Sequence, residues 1–286
     1  MSWIITGTQK SNWDPSLIST ALGLDAADVI TITESGGAIT TWADKSGNSH
    51  NATADGNPTY SATGMSTNKP AVQLDGTGDG FVSSITGIGS FNALDVYMVT
   101  QTTAAAAADT NSAIFWGYGN AGAASGGYPA ASGLILASST GLTTGETIVL
   151  ASESSAFPNG RVSSSTYTRA ANTIQILNSN TSTSGFSLLA NGSAVTLDLT
   201  SEITASTNAA PSSKSYTIDN NFYVGFFRAN GTLFYGAAIK FAEIIVSSTL
   251  LSADNRQKVE GYLAHKWGLT ANLPADHPYK TALPVP

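Results

Sequence analysis

The chain has no cysteine and little charge of either sign. Without thiols there is neither a disulfide framework nor a thiolate metal site, so stability has to come from packing and backbone hydrogen bonds. Charged residues make up 11% of the sequence, well under the about 25% of an average globular protein, and Ser, Thr, Asn and Gly take their place. The 12 Lys and Arg stand against 19 Asp and Glu, a net charge of −7, and they are scattered from Lys10 to Lys280 without a run. A cationic face for a phosphate backbone is therefore missing, and nucleic acid is not expected as a partner. No apolar run reaches the length of a membrane span, so membrane insertion is not expected either. The opening residues, MSWIITGTQKSNWDP, have neither the basic segment nor the apolar core of a secretory signal. The sequons at Asn51, Asn180, Asn191 and Asn230 are accordingly read as background rather than as glycosylation sites.

What is present is mostly strand. Short runs of apolar and β-branched residues are separated by Gly, Asn, Asp, Ser and Pro turns at the spacing of a sandwich, with no fixed-period repeat. The 286 residues read as an N-terminal arm or packing extension over 1–20, carrying Trp3 and Trp13, and one domain over 21–286. Within it the long loops fall at about 102–170, and Asn191-Gly192 supplies the two positive-φ positions of a tight hairpin. Residues 42–53, WADKSGNSHNAT, leave Trp42 inward as a structural residue and enter a turn whose Asp, Ser and Asn side chains bond their own backbone.

The most informative stretch is 238–280. It alternates as a strand up to Val246, with Ile239, Phe241, Glu243 and Ile245 on one face. From Ser252 the period becomes helical. Ser252 is an N-cap, Asp254 lies in the first turn, His265 and Lys266 lie in the last, and Gly268 follows as the stop. Val259, Tyr262, Leu263 and Trp267 form one apolar stripe over 252–267, while Arg256, Lys258 and Glu260 are expected to face water. Burying four such side chains contributes about 1.5–3 kcal/mol each, so the helix is expected to dock on a sheet, with Tyr262 and Trp267 structural.

The run FAEIIV, then LSADNRQKVEGYLAHKWGL, then LPADHPY resembles the C-terminal signature of LamG-like jelly-roll domains of the concanavalin A-like lectin/glucanase superfamily. LDAADVITIT at 24–33, ITTWADKSGNSHNAT at 39–53, KPAVQLDGTGDGF at 69–81 and LLANGSAVTL at 188–197 match its other marks in order. The resemblance covers residues 20–280 in outline and thins from 104 to 186. It implies an all-β, two-sheet antiparallel jelly-roll sandwich with one C-terminal α-helix.

Catalysis is not expected. Glucanases of that superfamily set acid and nucleophile on one strand as E-x-D-x-x-E, and no such run occurs here. Glu243 stands alone on its strand and reads as a structural carboxylate held by Arg256, a Tyr hydroxyl or backbone N–H groups. There is no G-x-S-x-G, no zinc spacing and no phosphate-cradling glycine loop. Asp75 and Asp79 on a tight glycine loop can supply part of a calcium shell; otherwise no cofactor is expected. Glycans are held by aromatic faces and planar polar groups, and Trp116, Tyr118, Tyr128, Arg161, Tyr167 and Arg169 are the candidates on the rim.

The leading expectation is a non-enzymatic module displayed on a bacteriophage virion, as a tail fibre, receptor-binding or capsid-decoration protein. It would be made in the host cytoplasm and contact host surface glycan or neighbouring virion proteins, with further copies of itself as another candidate partner. The alternatives are a bacterial cell-surface or exported carbohydrate-binding protein and, third, a glycoside hydrolase or lyase.

Overall fold

The structure is a computed structural model, and it describes residues 13–85, 94–102, 113–118, 133–139, 147–153, 161–165, 172–182, 185–198, 221–229, 232–234 and 238–286. Along these run β1 (Thr20–Asp25), β2 (Ile32–Ser35), β3 (Ala38–Trp42), β4 (Ala52–Asp55), β5 (Thr59–Ser61), β6 (Ala71–Asp75) and β7 (Gly80–Ser84). Then come β8 (Asp95–Thr102), β9 (Ala113–Tyr118), β10 (Gly133–Ser139), β11 (Thr147–Glu153), β12 (Arg161–Ser165), β13 (Ile174–Ser182) and β14 (Gly185–Ala190). The chain ends in β15 (Ser193–Ala194), β16 (Leu197–Asp198), β17 (Asn221–Val224), β18 (Phe227–Ala229), β19 (Thr232–Phe234), β20 (Ala238–Ser247) and the helix α1 (Ala253–Trp267).

Two sheets form the sandwich. One has the order β15-β14-β13-β8-β20-β6-β5, with β1 also paired to β20, and the other the order β16-β12-β11-β10-β9-β17-β7-β4-β3-β2. Pairing is antiparallel throughout the described strands. The expected all-β architecture with one C-terminal helix is therefore what the chain adopts.

The core is split by the first sheet. Leu22, Trp42, Phe81, Met98, Trp116, Leu177, Phe222 and Phe241 fill the space between the sheets. A second apolar layer, with Tyr97, Val99, Ile176, Ala242, Ile245, Val259, Leu263 and Trp267, lies between the outer face of that sheet and α1. Strand β8 serves both layers: Val96 and Met98 point inward, Tyr97 and Val99 toward the helix, and all eight of its residues are buried.

Strand β20 departs from strict alternation. Its register against β8 slips between Phe241 and Glu243, a β-bulge that places Ala242 on the helix side while Ile244 and Val246 return to the inner core. Glu243 consequently does not share a face with Ile239 and Phe241, as plain alternation predicts.

Helix α1 starts and stops where its signals lie. Ser252 accepts a hydrogen bond from the Asn255 N–H at 3.3 Å, and Gly268 closes the helix in the left-handed region at φ 75°. Val259, Leu263 and Trp267 are buried as expected. Glu260 is also buried, at 1% exposure, contrary to the expectation that it faces water. The reason is the C-terminal tail, which folds back over that flank: His277 contacts Glu260, and the Tyr279 carbonyl contacts His265 Nε2 at 2.9 Å. Trp13 is buried beside Tyr262 in an edge-to-face contact at 6.0 Å, and its N–H donates to the Pro284 carbonyl at 3.2 Å. Trp3 lies outside the described residues.

Gly261 sits inside α1 because a Cβ there would lie 2.4 Å from the Tyr279 Cβ. In an exposed helix interior, Ala in place of Gly stabilises by about 1 kcal/mol. Here Gly261→Ala is expected to reverse that sign and lower the midpoint of chemical denaturation, because the tail has to move off the helix.

Candidate functional site

Two buried polar clusters lie under α1. The first is built on β1 and β20, whose register sets Asp25 opposite Glu243. Lys266, from the last turn of α1, reaches both carboxylates, at 2.8 Å from Asp25 Oδ2 and 2.7 Å from Glu243 Oε2. The Tyr262 hydroxyl donates to Glu243 Oε1 at 3.0 Å and the Trp267 indole N–H to Oε2 at 2.7 Å. Lys45 adds a second cation, 3.0 Å from Asp25 and 2.8 Å from Asp28. Burial raises the Glu243 carboxyl against the pull of Lys266, and the nearby Asp25 adds to the rise. Burial would raise Asp25 too, but Lys266 and Lys45 together hold it below the usual carboxylate value.

Glu243 is held by Lys266, Tyr262 and Trp267, and its cation is Lys266 rather than the expected Arg256. It is not alone, however, and this corrects the sequence reading. One ammonium touches both acids, so their oxygens are no farther apart than two contact lengths, inside the ~5–5.5 Å of a retaining glycosidase pair. Sequence spacing could not reveal this, because the two residues are far apart in the chain and meet only through the β1–β20 ladder. Substrate access decides what the pair can do. The cavity beside it, also lined by Pro15, Thr20, Ser46 and Tyr262, holds about 60 Å³. That is room for a water or two, against the ~300–1,000 Å³ of ligand pockets. With Lys266 between the acids, the arrangement is a tie between helix and sheet.

The second cluster lies farther along the same interface. Asp95 accepts from the Tyr97 hydroxyl at 3.0 Å, from the Asn178 side-chain amide and from the Leu251 N–H at 3.3 Å. Burial nevertheless raises its pKa. Glu260 is pushed up to about 7, by burial first and then by Asp95, with Arg256 opposing. His277 Nε2 lies 3.1 Å from Glu260 Oε2, and the Tyr279 N–H points at His277 Nδ1 at 3.2 Å. That makes Nδ1 the acceptor and leaves the ring proton on Nε2, facing the carboxylate. Burial lowers the His277 pKa.

Two of the rim candidates have side chains that the structure describes. Trp116 and Tyr118 belong to the inner core, at 1% and 0% exposure, which corrects their placement on the rim. Both sit on β9 inside the sandwich. Trp116 stacks on Phe222 at 5.6 Å and donates its indole N–H across the core to Ser179 Oγ at 3.1 Å; Tyr118 packs at 6.5 Å from the same ring. Arg161 begins β12. Tyr128, Tyr167 and Arg169 lie outside the described residues. Trp42 is buried edge-on to Phe81 at 5.7 Å. Asp75 accepts from the Thr77 N–H at 2.8 Å and hydroxyl at 2.7 Å within its own loop, and Asp79 from the Asn57 N–H at 2.7 Å, which ties that loop to the β4–β5 turn. Among the described residues no group of three or more His, Asp or Glu comes together to hold a metal ion. The 44–50 turn is likewise engaged internally: Asp44 accepts from the N–H groups of Gly23, Ser46 and His50.

No family model matches the chain, and no curated protein matches its sequence. Solved structures do resemble it in fold. The binding domain of botulinum neurotoxin serotype D has a TM-score of 0.55 at 12% identity, over 85% of this chain and 51% of that one. A botulinum neurotoxin type C structure, whose cell entry is described as dependent on interaction with two ganglioside molecules, gives 0.52 at 8%, over 86% and 51%. The Trypanosoma rangeli sialidase in complex with sialic acid gives 0.53 at 12%, over 87% and 33%. The chain therefore spans about half of those botulinum structures and a third of the sialidase, and at such identities the likeness is one of fold.

Two outcomes follow from the clusters. Lys266→Met leaves Asp25 and Glu243 facing each other without their shared cation and should cost about 3 kcal/mol or more in urea denaturation. Lys258→Met, which removes a pair with the exposed Asp254, should cost under about 1 kcal/mol. The second outcome concerns pH. A raised Glu260 pKa gives stability that is complete below the unfolded carboxyl value and is lost as pH rises through about 7. The lowered His277 acts oppositely: its stability is present above the ordinary imidazole value and is lost on acidification. The melting temperature should thus fall between about pH 6.5 and about pH 8, and Glu260→Gln should flatten that fall.

Proposed function

We propose that the chain is a non-catalytic binding module that contacts glycan from a rigid β-sandwich. The observation that carries this is the bridging of the Asp25–Glu243 pair: the acids that sit at hydrolytic distance are tied by Lys266 beside a cavity of only about 60 Å³. The reading is supported by likeness to neurotoxin binding domains, one of them described with gangliosides, and by a neutral polar surface suited to hydroxyl-rich ligands. Its finer form is the LamG-like jelly-roll module of a bacteriophage particle, in a tail fibre, receptor-binding or capsid-decoration role. Cysteine-free, weakly charged composition supports this setting, and a bacterial surface or exported protein is the alternative.

The proximity of Asp25 and Glu243, with one pKa raised and the other lowered, favours one second reading, a glycoside hydrolase. A glycan array and a reducing-sugar assay on the same polysaccharides separate the two. Binding without sugar release is expected. Release that disappears in Glu243→Gln while the fold survives would transfer the case to the hydrolase. For the particle setting, mass spectrometry of purified virions from the parent phage should detect the chain, and its absence would refute that setting alone.

A further inference from the structure

With Trp116 and Tyr118 in the core, a glycan-contacting surface has to be sought elsewhere on the described residues. A groove of about 390 Å³ lies at the β15 edge of the first sheet, lined by Ala190, Asn191, Ser193, Val195, Thr196 and Asn272 among others. Its volume falls within the ~300–1,000 Å³ of small-molecule sites.

Both walls are held from behind. On one side Asn191 gives its backbone N–H to the Ile176 carbonyl and takes the Ile176 N–H on its Oδ1, each at 2.8–2.9 Å. The adjoining Gly192, at φ 79°, is packed so closely on Pro274 and His277 that an added Cβ would lie 3.3 Å from either. On the other side the Thr270–Asn272 turn is held by Lys280, whose ammonium donates to the carbonyls of Thr270, Ala271 and Leu273. Holding the walls in place before a ligand arrives lowers the ordering cost of binding it.

Among the described residues the lining contains no ionisable side chain, so a charged ligand would gain no partner from them. It offers the hydroxyls of Ser193 and Thr196 and the amide of Asn272, none of which is committed to another protein group. It also offers the Nδ2 of Asn191, whose Oδ1 is already used. Small residues, Ala190 and Ala194, leave the floor open. Neutral donors and acceptors on a preformed shallow groove match the ring hydroxyls and acetamido groups of uncharged sugars. A flat aromatic ligand would find no ring to stack on among the described lining residues.

From these features we infer that the groove between the 190–196 hairpin and the 270–272 turn is a subsite for one or two residues of a neutral saccharide. The inference rests on the glycan-binding reading and gives it a location. Saturation-transfer NMR with lactose, maltose, cellobiose and N,N′-diacetylchitobiose tests it, with 3′-sialyllactose as the anionic comparison. Wild type is expected to engage at least one of the neutral disaccharides, and sialylation to bring no gain over lactose. Ala194→Trp and Ser193→Arg, both at exposed positions, should each fill the groove and weaken that binding about tenfold or more, with unchanged melting temperatures. Equal binding by wild type and both folded variants overturns the groove while leaving the glycan-binding module standing. No engagement of any of the five sugars by wild type overturns the groove, and silence on the full glycan array overturns the module as well.

Discussion

The helix-to-sheet interface depends on a charge balance that apolar packing alone does not provide. Glu243 is buried under α1 and could not remain there unpaired, since an isolated buried carboxylate costs several kcal/mol. Lys266, Tyr262 and Trp267 come from the last two turns of that helix and all reach it. The sheet thus specifies where along its length the helix must sit, because sliding α1 by one turn would bury the charge without its partners. Apolar contacts among Val259, Leu263 and Ile245 hold the layers together. The carboxylate supplies their register.

The same interface explains why polar residues accumulate where an all-β core would normally be dry. Strands β8 and β20 are covered on both faces, by the second sheet and by the helix, yet each carries an acid on the helix side, Asp95 and Glu243. Each acid is answered from α1 or from the segment leading into it. The helix therefore behaves as a fitted part of the sandwich rather than as an appendage.

Much of this could be read in the amino-acid sequence, because the signals concerned are local. Ser252 and Gly268 mark the helix ends, and the Asn191-Gly192 hairpin needs only two positive-φ residues, found at 51° and 79°. The misreadings share the opposite cause. The bulge in β20 is one residue wide and leaves no trace in composition, so Glu243 was assigned to the wrong company. Glu260 looks solvent-facing on a helical wheel because the wheel does not contain the returning tail with His277. Asp25 meets Glu243 only through strand pairing across most of the chain. Trp116 and Tyr118 are legible as strand residues, but which face of β9 turns inward is decided by tertiary contacts, the indole N–H meeting Ser179 on the opposing sheet and its ring stacking on Phe222 of the neighbouring strand β17.

Trp13 and Pro284 touch through a backbone hydrogen bond, so the entry and exit of the domain lie side by side. Whatever polypeptide is joined at either point would leave from one spot on the surface. A pull applied between Trp13 and Pro284 would load that backbone hydrogen bond together with the packing of Trp13 on Tyr262.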